Sequence, residues 1–394
     1  MTTTKPDRSP LTEIAGAFFR LGCVAFGGPA AHIALMEDEF VTRRAWIDRE
    51  HFLDLIGATN LIPGPNSTEM TMHVGFERGG WPGLIAAGVA FIFPAVVITG
   101  GLAWLYVRFG TLPDVEPYLV GIKPAVLAVI LGALWKLGAR AVKGWQHAVI
   151  GVAALAAVAF GVGEVAAMIL GGLLGMLWLR TASAKWGGFR SVVGLLSTST
   201  PLGSTAALPL VAAALTTAAT VSLWKLGLFF LKVGAVLYGS GYVLFAFLEG
   251  GLVEEYGWLT EEQLVDAIAI GQFTPGPILS TATFIGYIIG GWQGALVATA
   301  AIFLPSFIFV LVLNPIIPRL RRSAWMGAFL DAVNVLAVAL MVWVSFRLGQ
   351  ATMTGWTAWL ILAIAAVAHL RYKVNAAWII LGGAAFGVVM RLVG

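Results

Sequence analysis

The chain has few charged residues and almost no cysteine, and both shortages exclude classes of protein. Charged side chains make up 11% of its 394 residues, whereas a soluble domain carries about 25%. The single cysteine, Cys23, excludes an intrachain disulfide and a cysteine-based metal site. The five histidines show no HExxH spacing, so we expect no metal site of that kind either.

Sequence motifs that mark common enzyme classes are missing as well. The chain has no glycine-rich loop followed by Lys-Ser/Thr, which would indicate an ATP-driven motor. It also has no GxSxG nucleophile elbow. A pI of about 9.3 would suit a nucleic-acid-binding protein, but the basic residues lie in short loops and form no patch. We therefore expect no enzyme, no cofactor and no nucleic-acid partner.

Apolar residues dominate the sequence and predict a membrane protein. They make up 59% of the chain, and the mean hydropathy is +0.89. Stretches such as 84–107 and 148–160 are long enough to span, or nearly span, a hydrocarbon core of about 30 Å. Residues 1–13 are polar, and the first apolar segment ends without an A-x-A cleavage site, so we expect that its helix is retained. These features predict an all-α polytopic membrane protein.

An internal repeat covers most of the chain. The sequence IPGPNST at 62–68 returns as TPGPILST at 274–281, and an offset of 212 or 211 residues aligns the surrounding glycines, tryptophans and prolines. The aligned pairs include Gly22 with Gly234, Glu37 with Glu249, Trp46 with Trp258, Pro94 with Pro305 and Trp145 with Trp356. We predict a first transporter repeat over 11–180, a linker with an extra apolar segment over 181–225, and a second repeat over 226–394.

Each repeat begins with a helix that glycine interrupts, and a Pro-Gly-Pro turn follows. The helical segments that flank each turn are too short to cross a bilayer, which is typical of re-entrant segments. Non-helical backbone at membrane depth is tolerated where it is buried in protein or lines a wet cavity. We therefore predict a re-entrant hairpin at each Pro-Gly-Pro, with four apolar spans after the first one, near 83–108, 118–136, 145–160 and 164–180. The residues assigned to helix breaks or hinges are Pro29, Pro63, Gly64, Pro65, Pro275, Gly276 and Pro277.

The loop charges of the two halves are reversed. The loop 37–50 contains three arginines, while its counterpart 249–262 contains no Lys or Arg. The loop 109–117 contains none, while its counterpart 315–323 contains three arginines. The positive-inside rule then places the halves in opposite orientations, as in an inverted-topology repeat. This orientation requires five membrane crossings in each half. The extra apolar segment 205–223 must therefore lie at the interface or form a hairpin, because a single crossing there would reverse the second half.

Basic residues between the later spans follow the same reversal. Lys136, Arg140 and Lys143 in the first half correspond only to Arg347 in the second half. We interpret these side chains as loop charges that set the topology.

The helix breaks predict an anion site. A helix that restarts after glycine and proline presents free N–H groups and a positive dipole end, which bind anions without a charged side chain. The predicted substrate-binding groups at the breaks are Gly27, Gly28, His32, Asn66, Ser67, Thr68, Gly239, Ser240, Ser280 and Thr281. The alternatives are close helix packing for the glycines, ordinary capping for the hydroxyls and a satisfied core position for His32. We expect the breaks to converge on one cavity between the halves.

Cationic and acidic side chains inside apolar segments are further candidates. Arg20, Lys123 and Lys232 are predicted to supply full positive charge to the substrate site, and the alternative for Arg20 and Lys232 is snorkelling to the interface. Glu69 and His73 lie one helical turn apart and are candidates for proton coupling, unless Glu69 only compensates the helix dipole. Asp54 and Asp266 are interpreted as residues of solvated helix faces.

Several of these motifs together resemble the chromate ion transporter family. The segments FGGPAAH at 26–32, PGPNSTEMTMH at 63–73 and FIFP at 91–94 are similar to its first half. The segments YGSG at 238–241, EYGWLTEEQLVDAIAIGQFTPGP at 255–277 and IFLP at 302–305 are similar to its second half. The resemblance implies the long-chain, two-domain form, which exports chromate from the bacterial cytoplasm and is driven by the membrane potential or the proton gradient.

The sequence thus predicts a multi-pass secondary transporter of the bacterial inner membrane that exports chromate. A sulfate transporter or a chromate/sulfate exchanger is the alternative, because composition and spacing do not distinguish two tetrahedral dianions of similar size. A lipid-modifying membrane enzyme is the rival from another class. It needs a carboxylate cluster or a histidine pair at one membrane face, where the sequence shows only scattered single residues. The expected partners are chromate or sulfate and membrane lipid, and a homodimer is left open.

Overall fold

The computed structural model describes residues 9–26, 28–110, 116–183, 222–238, 241–313, 316, 323–353 and 355–393. Within these ranges the protein is all-helical, without a β-strand. Five of the described helices are long and apolar enough to cross a membrane, and three shorter apolar helices accompany them. The prediction of an all-α, multi-pass membrane protein is confirmed.

Seven helices form the first half. They are α1 (Leu11–Val24), α2 (Pro29–Met36), α3 (Arg49–Thr59), α4 (Asn66–Phe109), α5 (Glu116–Ala141), α6 (Trp145–Ala159) and α7 (Glu164–Ser183). A π-helical segment, Glu37–Arg43, continues α2. Asp48 begins α3 by accepting a hydrogen bond from the His51 N–H, which satisfies one of the free donors of the first turn. The four predicted spans coincide with the second part of α4 and with α5, α6 and α7 to within a few residues.

The second half repeats these elements in the same order. They are α8 (Leu223–Val236), α9 (Leu244–Leu248), α10 (Glu261–Phe273), α11 (Thr281–Leu313), α12 (Ala324–Thr352), α13 (Trp356–Leu370) and α14 (Ala376–Val393). A short 3₁₀ turn precedes α9, and a second one, Ile278–Ser280, precedes α11. A π-helical segment, Glu249–Glu255, continues α9. The repeat in sequence is therefore a repeat of helices.

Two of the helices fold back on themselves at glycine. Gly80 in α4 has φ 61°, and Gly291 in α11 has φ 59°, in the left-handed region that glycine adopts without strain. Past each break the chain packs against the segment before it: Gly75 lies on the Gly83 carbonyl, and Gly286 lies on the Gly294 carbonyl. A short helix that leaves each Pro-Gly-Pro turn thus ends at a sharp reversal.

The helices form two sets. We call α1–α4 and α8–α11 the inner helices, because α1 packs on α4, α8 packs on α11, and α4 packs on α11. We call α5–α7 and α12–α14 the outer helices. In this set α5 packs on α13 and α14, and α12 packs on α6 and α7. Since the contact of α4 with α11 and the four contacts of the outer set each join one half to the other, the two halves are intertwined.

Large aromatic side chains lie on the outer surface at equivalent positions of the two halves. Trp81 and Trp292 are 58% and 55% exposed, and Trp145 and Trp356 are 67% and 68% exposed. Such exposure would be costly in water, whereas tryptophan is enriched where a protein meets the membrane interface. The pattern fits a protein whose surface faces lipid.

Part of the predicted organisation lies outside the described residues. This applies to most of the linker and extra apolar segment, to residues 111–115, and to three residues of the glycine clusters, Gly27, Gly239 and Ser240. The three arginines of the loop 315–323 lie outside as well. The inverted topology and the re-entrant depth of the Pro-Gly-Pro turns therefore remain predictions.

Candidate functional site

Each Pro-Gly-Pro turn meets the broken helix of the opposite half. The Gly64 N–H donates to the Leu237 carbonyl at 2.6 Å, and the Gly276 N–H donates to the Ala25 carbonyl at 2.8 Å. Leu237 and Ala25 end the equivalent helices α8 and α1. A carbonyl that loses its intrahelical partner at the break therefore gains a donor from the other half. Each bond ties the Pro-Gly-Pro turn of one half to the helix break of the other half. We call the region of these two contacts the centre.

The turns leave no room for larger residues. Gly64 has φ 142° and Gly276 has φ 90°, where side chains other than hydrogen are strained. A Cβ at Gly64 would meet the side chains of Glu69 and Ser306, and a Cβ at Gly276 would lie 3.0 Å from the Ala95 Cβ. The flanking prolines Pro63, Pro65, Pro275 and Pro277 are buried. The centre is a packed joint between the halves.

His32 is buried on α2, just after the helix break of the first half. Its Nε2 lies 3.0 Å from the Ala25 carbonyl, and its Nδ1 lies 3.2 Å from the Ser67 Oγ. Because a carbonyl only accepts, Nε2 carries the proton and Nδ1 accepts from Ser67. His32 is thus fully bonded within the protein, which favours its interpretation as a satisfied core residue.

Most of the predicted hydroxyl donors are buried and already bonded. Ser280 accepts from the Thr99 Oγ at 3.2 Å, and Thr281 donates to the Ile278 carbonyl at 2.8 Å. Thr68 is fully buried, and its Oγ has no hydrogen-bond partner in the described part of the chain. Asn66 is partly exposed and donates to the Asn60 side chain at 2.7 Å. Asn66 is therefore the polar group of the first turn of α4 that an external ligand can reach.

The two proton-coupling candidates lie deep in the joint. Glu69 is 0% exposed and lies beside the Ser306 hydroxyl of the opposite half. His73, one turn further along α4, is 1% exposed. The proton-coupling role of the pair stays a prediction.

A cavity of about 870 Å³ opens next to this joint, between the inner and outer helices. The inner helices contribute the helix restarts at Pro29 and Gly241, together with Asn60 and Asn66. The outer helices and the connections between them contribute most of the polar side chains: Lys136, Arg140, Lys143, Asp331, Asn334, His369, Lys373 and Asn375. The cavity therefore combines both broken helices with a basic wall.

The charge of the cavity is strongly positive. Four cationic side chains face one carboxylate among the lining residues, and that carboxylate, Asp331, is paired with Lys143 at 2.6 Å. Lys136 and Arg140 lie one turn apart on α5, where i and i+4 side chains share a helix face. A cavity of one sign with low-dielectric walls focuses its field and attracts a ligand of the opposite sign. The arrangement suits a small anion.

The cavity cations are not those that the sequence reasoning selected. Arg20 and Lys232 are exposed on α1 and α8 and do not line the cavity, and Lys123 lies 3.6 Å from Glu262 instead. Lys136, Arg140 and Lys143 were interpreted only as topology charges. The i, i+4 spacing of Lys136 and Arg140 on one helix face is the signal in the sequence that could have identified them. Gly28, with φ 81°, starts α2 near the Tyr242 hydroxyl, as the helix-break argument expects.

Two expectations about acidic residues are wrong. Asp266 was assigned to a solvated face, but it is 3% exposed and accepts from the Tyr106 hydroxyl at 2.8 Å. The acidic residues are also not scattered, because the carboxylates of Glu164, Glu249 and Glu254 lie within 4.8 Å of one another. Arg347 pairs with Glu249 at 3.3 Å and with Glu254 at 3.0 Å. The cluster is thus part of an ion-pair network.

Comparisons with known proteins agree with the resemblance. A family model described as "Chromate transporter" matches residues 12–176 and 224–388. The chromate transport protein of Cupriavidus metallidurans is 30% identical over 96% of this chain and 93% of its own length. The chromate transport protein of Pseudomonas aeruginosa is 30% identical over 89% of this chain and 84% of its own length. YwrA of Bacillus subtilis, an uncharacterised transporter, is 30% identical over 40% of this chain and 93% of its own length. No solved structure gives a significant match.

Proposed function

The chain belongs to the chromate transporter family, and we propose that it exports chromate across the bacterial inner membrane through the basic cavity. The observation that carries the proposal is the coincidence of four cationic side chains with both helix breaks in one cavity. Chromate is a tetrahedral dianion, so it is attracted by the wall and can accept hydrogen bonds from helix starts and asparagines.

The basic wall supplies the charge compensation. Two unit charges 4 Å apart interact by about 4 kcal/mol at an effective dielectric constant of 20. Lys136, Arg140 and Lys143 are exposed to the open cavity, so water and salt reduce this value. Attraction of this moderate strength raises the local concentration of the anion and still allows its release, which transport requires.

The inner helices supply hydrogen-bond donors at the helix starts. Asn66 occupies the first turn of α4, and Pro29 occupies the first turn of α2. A dianion near these starts meets free N–H groups and about half a positive charge from each helix. We propose that the anion moves from the basic wall to these helix starts when the outer and inner helices shift relative to each other.

The proposed orientation places the open cavity on the cytoplasmic side. Its rim carries the basic residues Lys136, Arg140, Lys143 and Lys373, which the positive-inside rule assigns to the cytoplasm. A charge that crosses the membrane gains about 2.3 kcal/mol per 100 mV. A dianion that leaves a negative interior gains twice this amount, so the membrane potential alone can drive export. Glu69 and His73 remain our candidates for proton sensitivity.

The test is chromate transport by the purified protein in proteoliposomes with an imposed membrane potential. Accumulation of labelled chromate in the compartment made positive supports the proposal, provided that protein-free vesicles show none. Excess sulfate added on the loading side tests the alternative substrate. Transport of sulfate without transport of chromate would assign the cavity to sulfate. Transport of neither anion would contradict an oxyanion transporter.

A further inference from the structure

The face opposite the cavity mouth is closed by helix packing and ion pairs. On this face α10 packs against α5, α12 and α14. Its counterpart in the first half, α3, contributes Ile56 to the cavity wall. Arg347 of α12 joins Glu249, Glu254 and Glu261 at 3.0–3.3 Å. We call this contact region between α10 and the outer helices the sealed face.

A buried carboxyl lies in the middle of the sealed face. Asp266 of α10 is 3% exposed, and its Oδ2 accepts from the Tyr106 hydroxyl of α4 at 2.8 Å. Its Oδ1 makes no hydrogen bond to any residue that the structure describes. The equivalent residue, Asp54 of α3, is exposed. Burial of this carboxyl is thus a property of the closed side of the molecule.

Groups of both charge signs face Asp266 from the elements packed around it. Tyr106 donates to it from α4, Lys123 approaches it from α5, and Glu262 of the next turn N-terminal to it on α10 lies 3.6 Å from Lys123. Arg347 of α12 is engaged with Glu261 at the start of α10. On α11 the titratable group is Tyr287, which packs against Trp292, and α14 carries no ionisable residue between 376 and 390. An ionised Asp266 is attracted by Lys123, whereas a protonated one is not.

The position of Lys123 relates the sealed face to the open cavity. Its counterpart in the second half is Asn334, which lines the open cavity. If the sealed face opened as its counterpart is open now, Lys123 would line a second mouth of the pathway. In this structure the carboxylates of Glu262 and Asp266 lie beside Lys123. They occupy the place where a departing anion would contact this cation.

We propose that Asp266 is a proton-binding site that controls the opening of the sealed face. A proton bound from the far side of the membrane removes the contribution of Asp266 to the attraction between α10 and Lys123. Only the exposed Glu262 then holds the cation, which lets the second mouth open. This inference rests on the proposed function, because it concerns the exit of the same anion.

The experiment measures chromate efflux from vesicles while only the pH on the far side is varied, from about 8 to about 5, the range in which a buried carboxyl can titrate. We expect the wild-type rate to rise several-fold as this pH falls. Asp266→Asn, which cannot ionise, should transport at a rate that no longer depends on far-side pH. Asp54→Asn is the matched control and should keep the wild-type profile.

A second variant keeps the test informative if Asp266→Asn does not fold. Tyr106→Phe removes the hydrogen bond that stabilises the carboxylate, so the efflux profile should shift towards higher pH. An unchanged far-side pH profile in Asp266→Asn, or in Tyr106→Phe where the first variant is not obtained, overturns the inference. Absence of chromate transport by the wild-type protein would instead contradict the proposed function.

Discussion

At the scale of single residues, the structure separates cations that line the cavity from cations that lie elsewhere. Lys136 and Arg140 belong to the first group, while Lys232 is exposed on α8 outside it. A charged side chain in an apolar chain is not by itself a binding residue, because its position at a helix end can also reflect snorkelling. The shared cavity is what distinguishes the two groups.

Removing one cavity cation should weaken substrate binding. We expect Arg140→Gln to raise the KM for chromate about tenfold, which corresponds to about 1.4 kcal/mol of lost attraction. Lys232→Gln serves as the control and should leave KM within about twofold of wild type, a difference below about 0.5 kcal/mol. Initial rates of chromate transport in proteoliposomes measure both. A larger increase in KM for Lys232→Gln than for Arg140→Gln would instead assign the binding site to the cations selected from the sequence.

The second prediction at this scale concerns Glu69. Its carboxyl is fully buried beside Ser306 at the joint between the halves. Glu69→Gln keeps the shape of the side chain and removes its titration, so the pH dependence of transport should become weaker while membrane insertion stays normal. Efflux rates across a pH series on each side of the membrane provide the measurement. An unchanged profile would leave Glu69 as a cap or packing group.

At the scale of helices, the turn in α4 depends on close backbone contact. Gly75 packs directly on the Gly83 carbonyl and on the Ala87 Cβ, so that a methyl group there has no space. Gly101 lies on the same helix with nothing within 4 Å of an added Cβ. The two glycines therefore serve different purposes, although the sequence shows both simply as glycine in an apolar helix.

This difference predicts opposite effects on stability. Gly75→Ala should destabilise the protein by about 1–3 kcal/mol, the usual cost of overpacking. Gly101→Ala should be neutral or stabilising by up to about 1 kcal/mol, because alanine favours a helix over glycine. Thermal unfolding of the detergent-solubilised variants measures both. Equal melting temperatures would contradict the packed turn, and Gly286→Ala should reproduce the effect of Gly75→Ala in the second half.

At the scale of the whole molecule, equivalent helices of the two halves have different surroundings. The cavity is open beside α3, while the equivalent helix α10 packs against α5, α12 and α14. Two sequence-related halves thus adopt different contacts in one structure. The predicted inverted repeat would account for this asymmetry, because exchanging the contacts of the halves would then move the opening to the other side of the membrane.

The topology itself is testable by labelling. In a Cys23→Ser background, Arg43→Cys and Arg321→Cys should react with an impermeant maleimide from the cytoplasmic side. Glu255→Cys, at the position equivalent to Arg43, should react from the opposite side. Its reaction from the same side as Arg43→Cys would exclude the inverted repeat.

Sequence alone determined the class of protein, the repeat and the positions of the breaks. Composition fixes the solvent, because 11% charge cannot cover a soluble surface. The 212-residue offset predicts α8 from α1, since the same residues in the same order favour the same helices. Glycine and proline likewise mark the breaks at Gly28 and at the two Pro-Gly-Pro turns, because backbone dihedral angles are a local property.

Only the tertiary structure decided which polar side chains share a site. The cavity combines Asn66 and Gly241 with Lys136 and Lys373, four residues from distant parts of the chain that become neighbours through the packing of helices from both halves. The same packing buries Asp266 and exposes its counterpart Asp54, although the repeat places them at equivalent positions. Related sequences favour the same helices in both halves, but they do not determine which half is packed against its neighbours and which half faces the open cavity. That difference depends on the relative position of the inner and outer helices, which no local pattern records.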